Sequence, residues 1–74
     1  MEAALSLDLA EAAHNRLRSS PYGGLMRDVS CDVENGGLVL RGRLRSFHHK
    51  QVAQETVRRL AGVRHIVNEI EVVD

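Results

Sequence analysis

The sequence predicts an α+β domain with the element order αββαβ, in which two helices pack on one face of a three-stranded mixed sheet. Two observations predict this fold class. Apolar residues recur at helical spacing in two segments and alternate with polar residues in three others. An Asn-Gly pair, which favours a two-residue hairpin turn, separates the first two alternating segments. With 74 residues, the chain is predicted to form a single domain over 1–74 with a thin core.

The first helix is predicted over residues 5–18. Ser6 is the predicted N-cap residue. Pro21 ends the helix, because it disfavours helical backbone at the residue before it and has no N–H to donate. The apolar stripe of this helix repeats every four residues, at Leu5, Leu9, Ala13 and Leu17.

A β-hairpin is predicted over residues 28–44, with Asn35 and Gly36 as its turn. Both arms have the period of two that is typical of strands, and a two-residue turn determines their register. That register pairs Val33 with Leu38 and Cys31 with Leu40 on the buried face, and Asp28 with Arg43 and Ser30 with Arg41 on the other.

The second helix is predicted over residues 47–61 and the third strand over residues 63–73. Ser46 is the predicted N-cap of this helix, and Gly62 is its predicted C′ residue. Asn68 falls on the inward face of the third strand, so we expect it to find a hydrogen-bond partner there.

The third strand should lie parallel to the second, because a helix connects them. A central second strand then places its arginines between acidic side chains of both neighbours on the outer sheet face, which favours this strand order. No helix covers that face, so it is a candidate interaction face for a second copy of the chain or another domain. Its residues are Val39, Arg41, Arg43, Val67 and Val73.

Two motifs resemble the BON domain (bacterial osmotically induced periplasmic and nodulation proteins). Asn35-Gly36-x-Leu38-x-Leu40-x-Gly42-x-Leu44-x-Ser46 is similar to the hairpin signature of that family. Gly62-Val63-x-x-Ile66-Val67-Asn68-x-Ile70-x-Val72 is similar to its closing motif. The resemblance spans about residues 9–73 and implies the αββαβ fold. Its fold-signature residues here are Asn35, Gly36, Gly42, Gly62 and Asn68.

The resemblance implies a non-catalytic binding module with no cofactor. BON domains are associated with phospholipids or cell-envelope partners and occur in periplasmic stress-response proteins. The family often has acidic or small residues after the position of Ser46, whereas this chain has Phe47-His48-His49-Lys50.

The charges of the chain are unevenly distributed. Ten basic residues balance ten acidic ones, yet residues 41–64 hold seven basic residues and one acid. A basic patch at the start of the second helix opposes the helix dipole there, and such a departure from a local rule often marks a functional site. We predict that this patch binds an anion such as a phospholipid headgroup. Its residues are Arg45, His48, His49 and Lys50.

Phe47 lies within this basic segment, and its role has two interpretations. It could insert into a lipid surface as an apolar wedge. It could instead pack inward, against the core or as a hydrophobic staple of the helix. Likewise, the basic patch could be an ordinary solvated face of the helix.

The sequence gives little support for a metal site, a reactive cysteine or nucleic-acid binding. His48 and His49 are adjacent and point about 100° apart on a helix, which disfavours chelation of one metal ion. Cys31 is predicted to face the core, where a free cysteine behaves as a small hydrophobic residue. The strands carry no exposed aromatic side chains for base stacking, which argues against nucleic acid as a partner.

The sequence contains no apolar run long enough to span a membrane and no signal peptide, so as written it predicts a cytoplasmic protein. If the chain is a fragment, the resemblance implies a periplasmic or envelope location. Two alternatives to phospholipid or envelope binding remain: a structural homo-oligomerisation domain, and a module that binds a small ion or nucleic acid.

Overall fold

The computed structural model describes the backbone of residues 2–73 and the side chains of residues 9–73. Two helices pack on a three-stranded sheet in the order αββαβ, which confirms the predicted fold class. The elements are α1 (Glu2–Ser19), a single 3₁₀ turn (Leu25–Asp28), β1 (Ser30–Glu34), β2 (Gly37–Leu44), α2 (Phe47–Arg58) and β3 (Ile66–Val72).

Helix α1 begins earlier than predicted. It starts at Glu2, so Ser6 lies inside the helix and its predicted role as the N-cap is wrong. The alanine and leucine residues that precede Ser6 are strong helix formers, and they extend the helix toward the N-terminus. At its other end, α1 stops at Ser19, two residues before Pro21, as expected.

The hairpin has the predicted turn and register. Asn35 and Gly36 have φ angles of 52° and 80°, as a type I′ turn requires. Cys31 pairs with Leu40 across the two antiparallel strands, and the pairings of Val33 with Leu38 and Ser30 with Arg41 are also as predicted.

The hairpin begins two residues later than predicted. Asp28 lies in the 3₁₀ turn, so its predicted pairing with Arg43 is wrong. The reason is the burial of Met26, which is only 1% exposed. Folding Met26 into the core turns the chain, and the N–H of Val29 donates to the Met26 carbonyl at 3.1 Å before the strand starts.

Helix α2 has the predicted N-cap but a shorter C-terminal end. The Ser46 side chain accepts a hydrogen bond from the His49 N–H at 3.1 Å. The helix ends at Arg58, and the residues up to 62 form turns, so Gly62 does not follow the helix directly. Its φ of +94° nevertheless shows why glycine suits this position.

Strand β3 starts three residues later than predicted and runs parallel to the central strand β2, as expected. Asn68 faces inward and finds the hydrogen-bond partners that the sequence required. Its Nδ2 donates to the Lys50 carbonyl at 3.0 Å and to Oε1 of Gln54 at 3.2 Å. Its Oδ1 accepts the Ile70 N–H at 3.2 Å.

The hydrophobic core lies between the two helices and the inner face of the sheet. Each strand contributes alternate residues, and each helix contributes one face. The core residues are Ala13, Leu17, Met26, Val29, Cys31, Leu38, Leu40, Leu44, Ala53, Val57 and Ile70.

On the outer sheet face, Arg41 of the central strand binds acidic residues of both neighbouring strands, as the strand order predicted. Its Nη1 lies 2.7 Å from Oε2 of Glu34 and 3.6 Å from Oδ2 of Asp32. Its Nε lies 2.9 Å from Oε1 of Glu69. The hydrogen bond from Arg41 lowers the pKa of Glu34 below its usual value.

Gly42 is the position of β2 at which a side chain is least tolerated. Its φ is +145°, and a Cβ added there would lie 2.3 Å from the Asp28 carbonyl oxygen. We expect Gly42→Ala to lower the free energy of unfolding by roughly 2–4 kcal/mol, measured by urea denaturation.

Gly24→Ala is the matched control for this substitution. Gly24 has an ordinary φ of −63°, and nothing lies within 4 Å of an added Cβ. We expect its unfolding free energy to stay within about 0.5 kcal/mol of wild type. Equal unfolding midpoints for the two variants would contradict this account of Gly42.

The lowered pKa of Glu34 makes stability depend on pH. The stabilisation is present above the ordinary pKa of glutamate and is lost as the pH falls through the lower pKa of the folded state. Between neutral pH and about pH 3, we expect the free energy of unfolding to fall less for Glu34→Gln than for wild type, as measured by chemical denaturation. Glu11→Gln, which changes an exposed carboxylate of α1 outside this network, should keep the wild-type dependence.

Candidate functional site

The predicted basic patch lies where β2 ends and α2 begins. Arg45 follows the last residue of β2, and residues 47–50 form the first turn of α2. Ser46 determines how this turn starts, because its side chain takes up the His49 N–H and its carbonyl accepts the Lys50 N–H at 3.1 Å. The structure therefore brings the four predicted patch residues together at one end of one helix.

Phe47 is exposed at the edge of this patch. Its side chain is 76% exposed, and it is not among the apolar side chains packed against the core. The structure therefore disagrees with the interpretation in which Phe47 packs inward. An aromatic side chain left in water beside cations forms a surface that is apolar at one point and basic around it.

Tyr22 packs against the histidines of the patch, which the sequence analysis did not anticipate. Its ring centroid lies 5.6 Å from that of His49 and 6.4 Å from that of His48, and the two histidine rings are 5.7 Å apart. Tyr22 follows the end of α1, whereas the histidines open α2. The sequence marks both helix ends but contains no signal that the two ends meet.

The charges of the patch are not neutralised by neighbouring acids. Among residues 9–73, no carboxylate oxygen lies within 4 Å of the charged atoms of Arg45 or Lys50. The patch therefore carries two positive charges, those of Arg45 and Lys50, that no neighbouring carboxylate of the described residues offsets.

Asn68 connects the patch to the sheet. Its hydrogen bond to the Lys50 carbonyl joins the first turn of α2 to the inner face of β3. This residue, which the sequence marks as part of the fold signature, therefore also positions the patch. The other signature residues adopt a backbone conformation that most side chains disfavour. Positive φ angles occur at Asn35, Gly36, Gly42 and Gly62.

The predicted interaction face on the outer side of the sheet differs from expectation at Val39, which is only 4% exposed. The guanidinium of Arg41 extends along the sheet to Glu34, which pairs with Gly37. It therefore crosses the pair of residues in between, which includes Val39. Val67 is 40% exposed. The accessible part of this face therefore consists of Val67, exposed Arg43 and half-buried Val73.

Cys31 is placed as predicted, in the core. Burial raises the pKa of its thiol to about 11, with a smaller contribution from the charge of Asp32. At neutral pH the thiol is therefore protonated and a poor nucleophile. The Cys31 N–H donates to Nε2 of His14 at 3.0 Å, which attaches α1 to β1.

Metal ligands do not converge in the described part of the chain, where no group of three or more histidine, cysteine, aspartate or glutamate side chains could hold an ion. Within the same residues, no helix has the combined length and apolarity needed to cross a membrane.

Comparison with known proteins agrees with this fold. Residues 7–74 match the family model of the BON domain. No curated protein matches the chain. A solved structure, the C-terminal domain of CdsD, "the structural protein of the Type III secretion system of Chlamydia trachomatis", is similar with a TM-score of 0.72 and 18% sequence identity.

The similar region covers 93% of this chain and 34% of the CdsD chain, so this chain spans about a third of the length of that structure. At this identity the two proteins are shown to share a fold. The family model, in contrast, covers nearly the whole sequence, and the strand order and signature residues agree with the resemblance found in the motifs. The chain therefore belongs to the BON domain family.

Proposed function

We propose that this BON domain is a non-catalytic binding module that docks on membranes bearing anionic phospholipid headgroups, as part of a cell envelope. The observation that carries the proposal is Phe47, which is 76% exposed beside the basic patch of Arg45, His48, His49 and Lys50. Exposed apolar and basic side chains in one place suit the interface of a bilayer, which offers both acyl chains and phosphates.

The energies are of the right size for reversible binding. Each Lys or Arg near an anionic membrane surface contributes about 1 kcal/mol, and burial of a phenylalanine side chain contributes about 2 kcal/mol. Arg45, Lys50 and Phe47 together therefore favour docking without making it permanent. Because the charged contribution weakens with salt, the binding should be strongest at low ionic strength.

A flotation assay tests this proposal. Wild type should float with vesicles of phosphatidylglycerol and phosphatidylcholine at low salt, and much less with phosphatidylcholine alone. We expect Phe47→Ala to weaken binding roughly 30-fold, because an apolar insertion of about 2 kcal/mol is lost. The double variant Arg45→Gln/Lys50→Gln should weaken it by a similar factor, since two charges of about 1 kcal/mol each are removed.

Matched controls separate this site from general surface properties. Leu25→Ala removes another exposed apolar side chain, and Arg18→Gln/Arg27→Gln removes two exposed charges elsewhere. Both should float like wild type. Failure of the wild type to float at low salt, or equal losses in the control variants, would contradict docking through this patch.

A second candidate function is homo-oligomerisation through the outer sheet face. It is favoured by Val67, one of the three large hydrophobic side chains that are exposed among the described residues. Arg43 and Val73 lie further along the same face, beyond the ion pair of Arg41 with Glu69. A small domain with a thin core gains stability from a partner. CdsD, which shares this fold, is a structural protein of a secretion system, and such a role is compatible with this function.

Sedimentation equilibrium separates the two functions. If the outer face joins two copies, wild type should self-associate at micromolar concentration, and Val67→Glu should be monomeric because it places a charge in the interface. Leu25→Glu is the control, because Leu25 is 50% exposed and lies outside the sheet. A strictly monomeric wild type would rule out this second function.

A further inference from the structure

An open groove of about 640 Å³ runs between the C-terminal part of α1 and one face of α2. It shares His48 with the basic patch, but the rest of its lining belongs to neither the patch nor the outer sheet face. Half-buried Val52 contributes apolar surface to this lining. Its volume falls within the range of about 300–1,000 Å³ found for ligand sites in proteins.

The lining of the groove has an excess of positive charge, because it contains two arginines and one glutamate. Arg16 of α1 and Arg59, which follows α2, both line it and are exposed. Among residues 9–73, no carboxylate oxygen lies within 4 Å of either guanidinium. Glu55 also lines the groove, but its Oε2 is already engaged with Nη1 of Arg58 at 3.4 Å.

The hydroxyl groups of the groove act mainly as acceptors. Ser19 donates to the Asn15 carbonyl at 2.8 Å, and Thr56 donates to the Val52 carbonyl at 2.6 Å. Because each hydroxyl has one proton, these oxygens have only lone pairs left for a ligand. Ser20 likewise donates its proton to the Leu17 carbonyl, at 2.7 Å.

We propose that this groove binds an extended acidic segment of a partner protein. Arg16 and Arg59 would pair with its carboxylates, since a guanidinium offers two parallel N–H donors that match a carboxylate. The hydroxyl oxygens would accept its backbone N–H groups. An acidic peptide supplies carboxylates and a row of backbone N–H donors in one ligand, whereas a phosphate is too small to reach both guanidinium groups and the hydroxyl oxygens along the groove.

This binding goes beyond the proposed membrane function and uses different residues. Phe47, Arg45 and Lys50 are absent from the groove lining. The two activities can therefore be tested separately in the same protein.

The test is fluorescence anisotropy with a fluorescein-labelled decapeptide of alternating glutamate and alanine, at about 0.1 M salt, where charges more than about 10 Å apart are largely screened. The lysine-alanine peptide of the same length is the reference ligand. Wild type should bind the acidic peptide and not the basic one. We expect Arg16→Glu/Arg59→Glu to weaken binding by about tenfold or more, because two attractive pairs become repulsive.

Arg18→Glu/Arg64→Glu is the matched control. Both residues are exposed, the change in net charge is identical, and neither residue lines the groove. This variant should bind the acidic peptide within about twofold of wild type, since exposed charges at a distance are screened. Circular dichroism of both variants should match wild type, because all four arginines are exposed.

The proposal would be overturned if wild type did not bind the acidic peptide, or if both double variants lost the same affinity for it. It would also be overturned if inorganic phosphate displaced the peptide, which would indicate a simple anion site. Flotation distinguishes this proposal from the membrane function. Arg16→Glu/Arg59→Glu should still float with anionic vesicles, and Phe47→Ala should still bind the peptide.

Discussion

The hydrogen bonds of Asn68 determine where α2 lies on the sheet, and the candidate membrane-contact patch depends on that position. One amide side chain joins the Lys50 carbonyl, the Gln54 side chain and the Ile70 N–H. A polar group in this half-buried position is costly unless its hydrogen bonds are made, so it favours one placement of the helix over nearby alternatives. The first turn of α2, with Phe47 at its start, follows from that placement.

The two sheet faces are stabilised by different interactions. The inner face buries apolar side chains under both helices, whereas the outer face is held by the ion pairs of Arg41 with both neighbouring strands. Arg41 thereby also extends across Val39, which removes apolar surface from that face. The net charge of zero therefore hides a division. On the sheet, acids of both neighbouring strands offset the charge of Arg41. Among residues 9–73, no carboxylate oxygen lies within 4 Å of the charged groups of Arg43, Arg45, Lys50, Arg16 and Arg59.

Local patterns predicted much of this structure because they act over short distances. The Asn35-Gly36 turn set the hairpin register, and alternation along the third strand showed that Asn68 needed a partner. The boundaries were less predictable. Burial of Met26 produces a 3₁₀ turn that keeps Asp28 out of the sheet. That burial depends on contacts with distant parts of the chain, which local periodicity does not contain.

The sequence by itself determined the fold class and the hairpin register, favoured the central position of β2 and identified the run of basic residues at the start of α2. Periodicity, turn chemistry and charge are properties of neighbouring residues. Only the tertiary structure decided that Phe47 is exposed, that Tyr22 packs on the histidines, and that a basic groove opens between α1 and α2. These features arise where helix ends and faces from different parts of the chain meet. Their geometry is determined by packing against the shared core, which no local pattern records.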